Sequence, residues 1–510
     1  MTPRSVLRAV LGQLPMAAAI GLALVVIAVL RGQHWPGVVA AIGTAGAVAG
    51  LPLIGAVHGP NPPSGYRLPG YRRPVPVPTG RWSQGISALI VMIMIFMILF
   101  LPGWLVFLGM LLAWLGLLIN LVTAYLRRRG RPRHREVLHR AVAAYRPRFV
   151  IYTGRRNDAS YQLAMWVPIL ERLQLPYLVA LSFPEALAST RAITKAPIVL
   201  LPTGSDLDAI MVPGLRAAFY VNGIAENSTL VNYRNLTHIY LGHGDSDKEL
   251  SVHPMHGMFD RVFVAGQAAI DRYGQAGVKI PASKFVIVGR PQTAGLRGAG
   301  RPIGEVDPPS VLYAPTWRGY NAHTTLSSLP VGPAVVDALL RRGVVVSFRP
   351  HPFSWLGARE RSEISAIDDL LRRDRDDSGR PHRTAAEHRN TPVAEEIDFS
   401  DALVTDIGSV LVDYFATGKP YAVVLPPGQS PTTARTDLPS TAAAYLISYD
   451  TLIGGPDQSV EQVLDELLVK DPLAGRRPAV ARHYLGEQPG DDRPFLDAVR
   501  RVIGHPEPAR

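Results

Sequence analysis

Ser400-Asp401-Ala402-Leu403-Val404-Thr405-Asp406-Ile407-Gly408-Ser409 reads as a buried strand that stops at polar residues and turns into a helix. Two further segments have the same form, Leu312-Tyr313-Ala314-Pro315-Thr316-Trp317-Arg318 and Phe348-Arg349-Pro350-His351-Pro352. Each is a short apolar run that ends at groups able to hold an anion. Two arginines, a histidine, hydroxyls and a glycine-opened helix would converge wherever these strand ends meet. That is phosphate-handling chemistry, and parallel sheets bind ligands beyond the carboxyl ends of their strands.

The surrounding sequence supports such sheets. Strands are predicted at Arg148–Tyr152, Tyr177–Leu181, Pro197–Leu201, Ala217–Val221, His238–Leu241, Arg261–Val264 and Lys284–Val288, with helical lengths such as Tyr161–Leu173 and Gln267–Tyr273 between them. After a Gly/Pro-rich break at Gly289–Pro309 a second series follows: Val311–Ala314, Val344–Phe348, Asp401–Thr405, Tyr421–Leu425 and Tyr445–Tyr449. Apolar strands alternating with helices imply parallel sheets covered on both faces. The two series predict two doubly wound domains, 145–300 and 308–490, facing one another across a cleft, with a tail at 491–510. The segment Arg359–Glu396 is dense in charge and reads as a solvated insertion.

The charge distribution sets these domains apart from what precedes them. The 510 residues carry 53 basic and 41 acidic side chains, but 13 arginines and no acidic residue lie before Glu136. The remainder is nearly neutral, with 40 basic against 41 acidic side chains, and shows no basic stripe for nucleic acid. No cysteine is present, which excludes disulfides, thiolate catalysis and cysteine-ligated metals. Residues 1–135 read as a membrane module with four apolar stretches, about 11–30, 35–57, 86–101 and 104–126, the third of them short. Arg4 and Arg8 precede the first stretch. Arg67, Arg72, Arg73 and Arg81 lie between the second and third, and Arg127, Arg128, Arg129, Arg131, Arg133 and Arg135 follow the fourth. This pattern predicts a multi-pass protein of the cell membrane with both termini and the two α/β domains cytoplasmic. A cleaved signal peptide is the rival for residues 1–30, but the apolar core is long and no small-residue cleavage site follows it. No charge lies inside a stretch, which favours an anchor over a transporter. The Arg127–Arg135 cluster serves topology, anionic lipid, or both. The Pro/Gly-rich Gly59–Gly80 reads as an extended cytoplasmic loop.

His243-Gly244 follows a predicted strand, where an imidazole is placed for proton abstraction. On the dipeptide alone a surface-loop histidine is the simpler reading. Asp245, Asp247, His253 and His256 lie close by in a spacing that matches no strong metal pattern. Arg318 and Arg349, each next to prolines that fix a turn, offer planar forks for phosphate oxygens. A salt bridge at a domain interface is the alternative for each. Thr405, Gly408 and Ser409 open a helix whose free amides favour phosphate. Asp406 would cap that helix or hold a substrate hydroxyl or ribose, and Asp413 is either a further contact or a helix-surface residue.

Taken together, His243-Gly244, Val288-Gly289-Arg290-Pro291, Tyr313–Arg318, Arg349–Pro352 and Asp401–Pro420 resemble the CDP-glycerol glycerophosphotransferase family, the teichoic-acid polymerases and primases. The resemblance implies an α/β fold, a GT-B-like pair of Rossmann-type doubly wound domains, here preceded by a four-helix transmembrane region. It implies transfer of glycerol phosphate from CDP-glycerol to a hydroxyl of a polyprenyl-linked acceptor, releasing CMP, with no cofactor required and a divalent metal not indicated. By this resemblance His243 is the general base. His351 and Arg349 contact the donor pyrophosphate with help from Arg318, while Thr405, Asp406, Gly408 and Ser409 match the donor-binding turn. Thr316 and Asp413 fall beside that turn as donor or alditol contacts. The chain departs from the family pattern at Gly242, where Trp is usual, at Gln292, where Arg is usual, and at Asp406-Ile407-Gly408-Ser409, where Asp-Tyr-Ser-Ser is common. These departures leave the phosphate groups in place and open the donor to CDP-ribitol or another alditol. A GT-B glycosyltransferase using a nucleotide sugar and a non-catalytic membrane assembly factor are the competing functions.

Overall fold

The computed structural model describes residues 3–504 apart from 59, 73–79, 157–159, 243, 248–251, 320–325 and 454–457. The chain forms two compact units. The first comprises residues 1–150, 154–158 and 176–215, and the second comprises 151–153, 159–175 and 216–510.

Four helices of the first unit occupy the apolar stretches: α1 Pro3–Leu30, α2 His34–His58, α3 Gly80–Phe100 and α4 Gly103–Tyr145. Among the described residues only α4 is long and apolar enough to cross a bilayer; α1 and α3 supply the shorter apolar stretches Pro15–Leu30 and Ala88–Phe100. The expected four-span region is therefore corrected to one candidate span with shorter apolar partners. At 1.5 Å per residue the apolar part of α3 falls well short of a hydrocarbon core of ~30 Å. The helices pack through small residues, with Ala28, Ala40, Ala41, Thr44 and Ala124 fully buried. Large apolar side chains point outward instead, among them Leu22, Leu30, Ile42, Met92, Phe96, Trp104 and Leu112.

Helix α4 does not stop at the arginine cluster but continues through Pro132 to Tyr145. The same unit holds strands β1 Ser64–Tyr66, β3 Tyr177–Leu181 and β4 Ile198–Leu200, while β2 Phe149–Thr153 straddles the division between units. β3 and β4 are parallel, with Val179 opposite Ile198. β1 adds antiparallel to β4, with Ser64 opposite Leu200, so the loop predicted at 59–80 supplies a short edge strand. Arg67 fastens it by donating to the carbonyls of Thr194 and Arg191. The Arg127–Arg135 cluster also has an internal role. Arg131 Nε donates to Asp206 Oδ1 at 3.1 Å, and Arg135 donates to the Ser205 carbonyl at 3.0 Å. Asp206 is fully buried and closes a capping box with Thr203.

The second unit contains two parallel sheets. β5 Ala217–Tyr220, β6 Thr237–Tyr240, β7 Arg261–Val264 and β8 Phe285–Ile287 pair in that order. β9 Ser310–Ala314, β10 Val345–Phe348, β11 Ala402–Thr405, β12 Tyr421–Val424 and β13 Tyr445–Ile447 form the other sheet, in the order β10-β9-β11-β12-β13. Every strand predicted in both series is present, within a residue or two at most ends. The register sets three strand ends level, because Phe348 lies opposite Tyr313 and Thr405 opposite Ala314.

The charged segment Arg359–Glu396 is not a solvated insertion. It folds as the helix Ala358–Ser378, which buries Ile364, Ile367 and Leu371 in the core of the second sheet, and a return segment. Two of its carboxylates are satisfied internally: Asp368 accepts from the amides of Ala385 and Ala386, and Asp374 pairs with Arg380 and His382. Charge density was a poor guide there because pairing let the apolar stripe be buried.

Candidate functional site

The level ends of β9, β10 and β11 turn into three loops that brace one another. Asp406, completely buried, accepts from the amides of Thr316 at 2.7 Å and Ser328 at 3.0 Å through Oδ2. Asp406 thus holds the loop after β9 through Oδ2. Ser327 Oγ donates to the Thr316 carbonyl at 2.6 Å, closing the same turn. The His351 amide donates to the Pro315 carbonyl at 3.2 Å and so ties the loop after β10 to the loop after β9.

His351 begins the short helical turn Pro352–Trp355, and its Nδ1 accepts from the Phe353 amide at 3.1 Å. With Nδ1 accepting, the neutral ring carries its proton on Nε2, which becomes a donor. Trp317 and Phe353 flank the ring, at 6.1 Å and 5.3 Å between centroids.

The strand-to-helix turn behaves differently at each of its residues. Thr405 is buried and its hydroxyl donates to the Ala314 carbonyl at 2.6 Å, so it fastens two strands together. Gly408 is extended, and a Cβ there would lie 3.6 Å from Thr316 Oγ1, an ordinary contact. Ser409 is half-buried at the start of the helix Ser409–Tyr414. A Cβ built on Gly244 would lie 3.7 Å from Ser409 Cβ, so the loop after β6 reaches this turn.

His243 itself lies outside the described residues, but the residues around it are held firmly. Gly242 adopts φ +69°, the left-handed region that side chains rarely enter. The tryptophan usual in the family would be strained there. Instead Trp166, from the helix Ser160–Glu171, donates its indole N–H to the Gly242 carbonyl at 2.8 Å. Gln292, the second departure, donates to the Met165 carbonyl of that same helix. Asp245 and Asp247 both pair with Arg272. Asp247 also accepts from the Tyr484 hydroxyl and the Ser440 amide, each at 2.9 Å. His256 Nδ1 and the Tyr273 hydroxyl lie 2.6 Å apart in the interior. Among the described residues no group of three metal-ligating side chains occurs.

Three expected site residues are engaged elsewhere. Arg318 pairs with Glu363 at 3.2 Å and Glu360 at 3.5 Å. The Arg349 guanidinium donates to the Thr391 carbonyl and lines a cavity of about 180 Å³ with His388, Arg389 and Asn390. Burial holds Arg349 below the usual guanidinium range, and Glu396 partly offsets this. Asp413 forms a buried ion pair with Arg290, at 2.7 Å from Nε to Oδ1. Arg290 belongs to the Gly289-Arg290-Pro291 turn, 123 residues away in the chain, and links the elements around β8 to those around β11. Trp166, Arg272 and Arg290 are supports that sequence reasoning did not identify as such; only Arg290 carried a signal, as part of a family marker.

The unit is thus an α/β protein with level strand ends bearing a histidine, an arginine and a serine-opened turn, and a histidine-bearing loop reaching the same turn. Residues 300–426, which contain β9 to β12, match the model of the CDP-Glycerol:Poly(glycerophosphate) glycerophosphotransferase family. Among solved structures, the chain is similar to the wall teichoic acid polymerase TagF at 14% identity, covering 73% of this chain and 93% of that one, with a TM-score of 0.44. It is also similar to a UDP-N-acetylglucosamine 2-epimerase at 16% identity, covering 71% and 97%, with a TM-score of 0.43. The UDP-GlcNAc 2-epimerase of Neisseria meningitidis gives 10% identity, 70% and 99% coverage and a TM-score of 0.41. At TM-scores below 0.5 these likenesses carry no weight in the functional reading. No curated protein sequence matches the chain.

Proposed function

We propose that this chain transfers glycerol phosphate, or another alditol phosphate, from a CDP-linked donor to a hydroxyl of a polyprenyl-linked acceptor, releasing CMP, in synthesis of a teichoic-acid-like wall polymer. The observation that carries this reading is the family match over the segment containing the level ends of β9, β10 and β11. In the reaction the acceptor oxygen forms a bond to the phosphorus bearing the alditol. The bond from that phosphorus to the CMP oxygen breaks, and CMP leaves with the electron pair. The acceptor proton passes to His243, the role its family position implies. His351 Nε2–H donates to a non-bridging oxygen as charge develops at phosphorus. Arg349 joins the clamp by exchanging the neutral Thr391 carbonyl for a charged phosphate oxygen, a stronger partner, and Arg318 joins it by exchanging its two glutamates for phosphate oxygens. A GT-B arrangement of the two parallel sheets and the absence of a metal requirement belong to the same proposal.

The enzyme works at the membrane with its catalytic part cytoplasmic, held by α4 and the shorter apolar helices packed on it. The outward-facing large apolar side chains of α1–α4 support this, as does the placement of the arginines before Glu136 on one side of the predicted spans, Arg31 alone lying on the other. The test is a donor screen: membranes containing the protein are incubated with labelled CDP-glycerol, CDP-ribitol and UDP-sugars. CMP release with label in the lipid fraction is expected from one of the CDP-alditols. Sugar incorporation without CMP release would sink the proposal.

A further inference from the structure

Tyr161 contacts the loop that carries His351, although it comes from a different part of the second unit. It sits at the start of the helix Ser160–Glu171, which packs by the β5–β8 sheet through the Trp166 bond to Gly242. Its ring meets Phe353 edge-on at 6.0 Å between centroids and 77° between planes. Phe353 in turn packs edge-on to Trp317 at 5.5 Å and flanks His351. Phe353 is also the residue whose amide occupies His351 Nδ1. One residue therefore both assigns the imidazole tautomer and receives the contact from Tyr161.

The other side of Tyr161 is anchored by a chain of buried amides. Gln162 Nε2 donates to the Tyr161 hydroxyl at 2.9 Å, and Asn222 Nδ2 donates to Gln162 Oε1 at 2.9 Å. Asn227 Nδ2 donates to Asn222 Oδ1 at 3.0 Å, and Asn222 also reaches Thr153 Oγ1 at 3.3 Å. Gln162, Asn222, Asn227 and Thr153 are all at most 2% exposed, whereas Tyr161 is 43% exposed. Four buried polar side chains beyond the ends of β2 and β5 are costly unless mutually bonded. Here their connected bonds end at an exposed phenol rather than in the core.

We propose that Tyr161 is a positioning residue for His351: anchored through Gln162 and Asn222, it presses on Phe353, so that seating of the helix Ser160–Glu171 against the loop after β10 fixes the imidazole with Nε2–H toward the reacting phosphate. The role of His351 in this statement rests on the function proposed above; the mechanical contact does not.

The test uses the full chain in detergent micelles, with Tyr161→Ala, Tyr161→Phe and His351→Ala variants. Donor kinetics are followed by CMP release, and acylation of His351 by diethyl pyrocarbonate is followed by peptide mass spectrometry. Tyr161→Ala is expected to lower kcat about tenfold with KM for CDP-glycerol changed less than about twofold, since misplacement of a group by ~1 Å costs that much or more. The same variant should raise the rate of His351 acylation several-fold. Tyr161→Phe keeps the ring contact and loses the anchor, so both readouts should fall between wild type and Tyr161→Ala. Wild-type kcat and unchanged His351 acylation in Tyr161→Ala, with His351→Ala inactive, would overturn the inference. Full activity in His351→Ala would overturn the proposed function instead, and the acylation rate would still report on positioning.

Discussion

The joint in the first unit and the strand-end site in the second each bury an aspartate, and the two are satisfied in different ways. Asp206 is matched by a cation, with Arg131 across from it, a capping box around it and Arg135 nearby. Asp406 accepts from two neutral amides, those of Thr316 and Ser328. Around Asp206 the arginines are neutralised by the carboxylate they hold. At the neighbouring strand ends Arg349 bonds to the Thr391 carbonyl, while Arg318 pairs with Glu360 and Glu363. Bracing Asp406 with backbone amides spends no cation on it, so Arg349 keeps its charge although Arg318 is paired with Glu360 and Glu363. The joint around Asp206 does the opposite.

The largest effects should fall on the strand-end side and appear in activity. His351→Ala and Arg349→Ala are each expected to lower CMP release at least ~100-fold, the scale of losing one preorganised donor to a developing charge. Wild-type release from both variants would move the site elsewhere. On the joint side the effect should appear in stability. Asp206→Ala strands Arg131 in a largely buried setting and should cost about 3 kcal/mol, read as a lower unfolding midpoint, with kcat of the surviving protein within about twofold of wild type. An unchanged midpoint would make the arginine cluster a lipid or topology feature only. Asp413→Ala tests the intermediate case, because its pair with Arg290 is buried but lies beside the candidate site. A loss of about 2 kcal/mol is expected, together with weaker turnover; a change in turnover without a change in midpoint would make Asp413 an alditol contact after all.

The smallest effect concerns pH. Burial lowers His382, with Asp374 opposing, and the imidazole Nδ1 accepts from the Val346 amide. Burial likewise lowers His238, whose Nδ1 meets the Tyr220 hydroxyl at 2.8 Å. A folded-state value below the unfolded value of ~6.5 means that the unfolded chain binds the extra protons. These two histidines therefore contribute stability above about pH 6.5 that is lost as pH falls toward their folded values. Asp374 behaves alike at lower pH: lowered to about 2, with burial opposing and Arg380 and His382 lowering it, it contributes stability above ~3.9 that is lost toward about 2. Unfolding midpoints should fall modestly between pH 7 and 5, and His382→Gln should flatten that slope; an equally steep slope in the variant would assign the loss to other groups.

Much of the second unit was legible in its sequence. The apolar runs ending at Ala314, Phe348 and Thr405 are strands, and their loops do meet. Thr316, Asp406, Gly408 and Ser409 come together, and the loop bearing the His243 position reaches Ser409 through Gly244. Less legible was which polar groups are engaged by the protein itself. Thr405 binds a strand carbonyl, Arg318 two glutamates and Asp413 an arginine far away in sequence. The segment after Arg359 was misread because charge counting cannot see Asp374, Arg380 and His382 satisfying one another. The arginines after the fourth apolar stretch point, in sequence, to lipid or topology, yet Arg131 lies within α4 and faces Asp206.

Sequence alone determined the alternation of strands and helices, the separation of an all-basic apolar module from a near-neutral α/β part, and the placement of anion-binding residue types at strand ends. Those follow from hydrophobic periodicity and chain chemistry, which are local and additive along the chain. Tertiary structure alone decided which cations remain available, which carboxylates are braces, and that Trp166, Gln292 and Tyr161 support the histidine-bearing loops. Those depend on distances and burial between residues far apart in sequence, where electrostatic and hydrogen-bond energies are set by geometry rather than by composition.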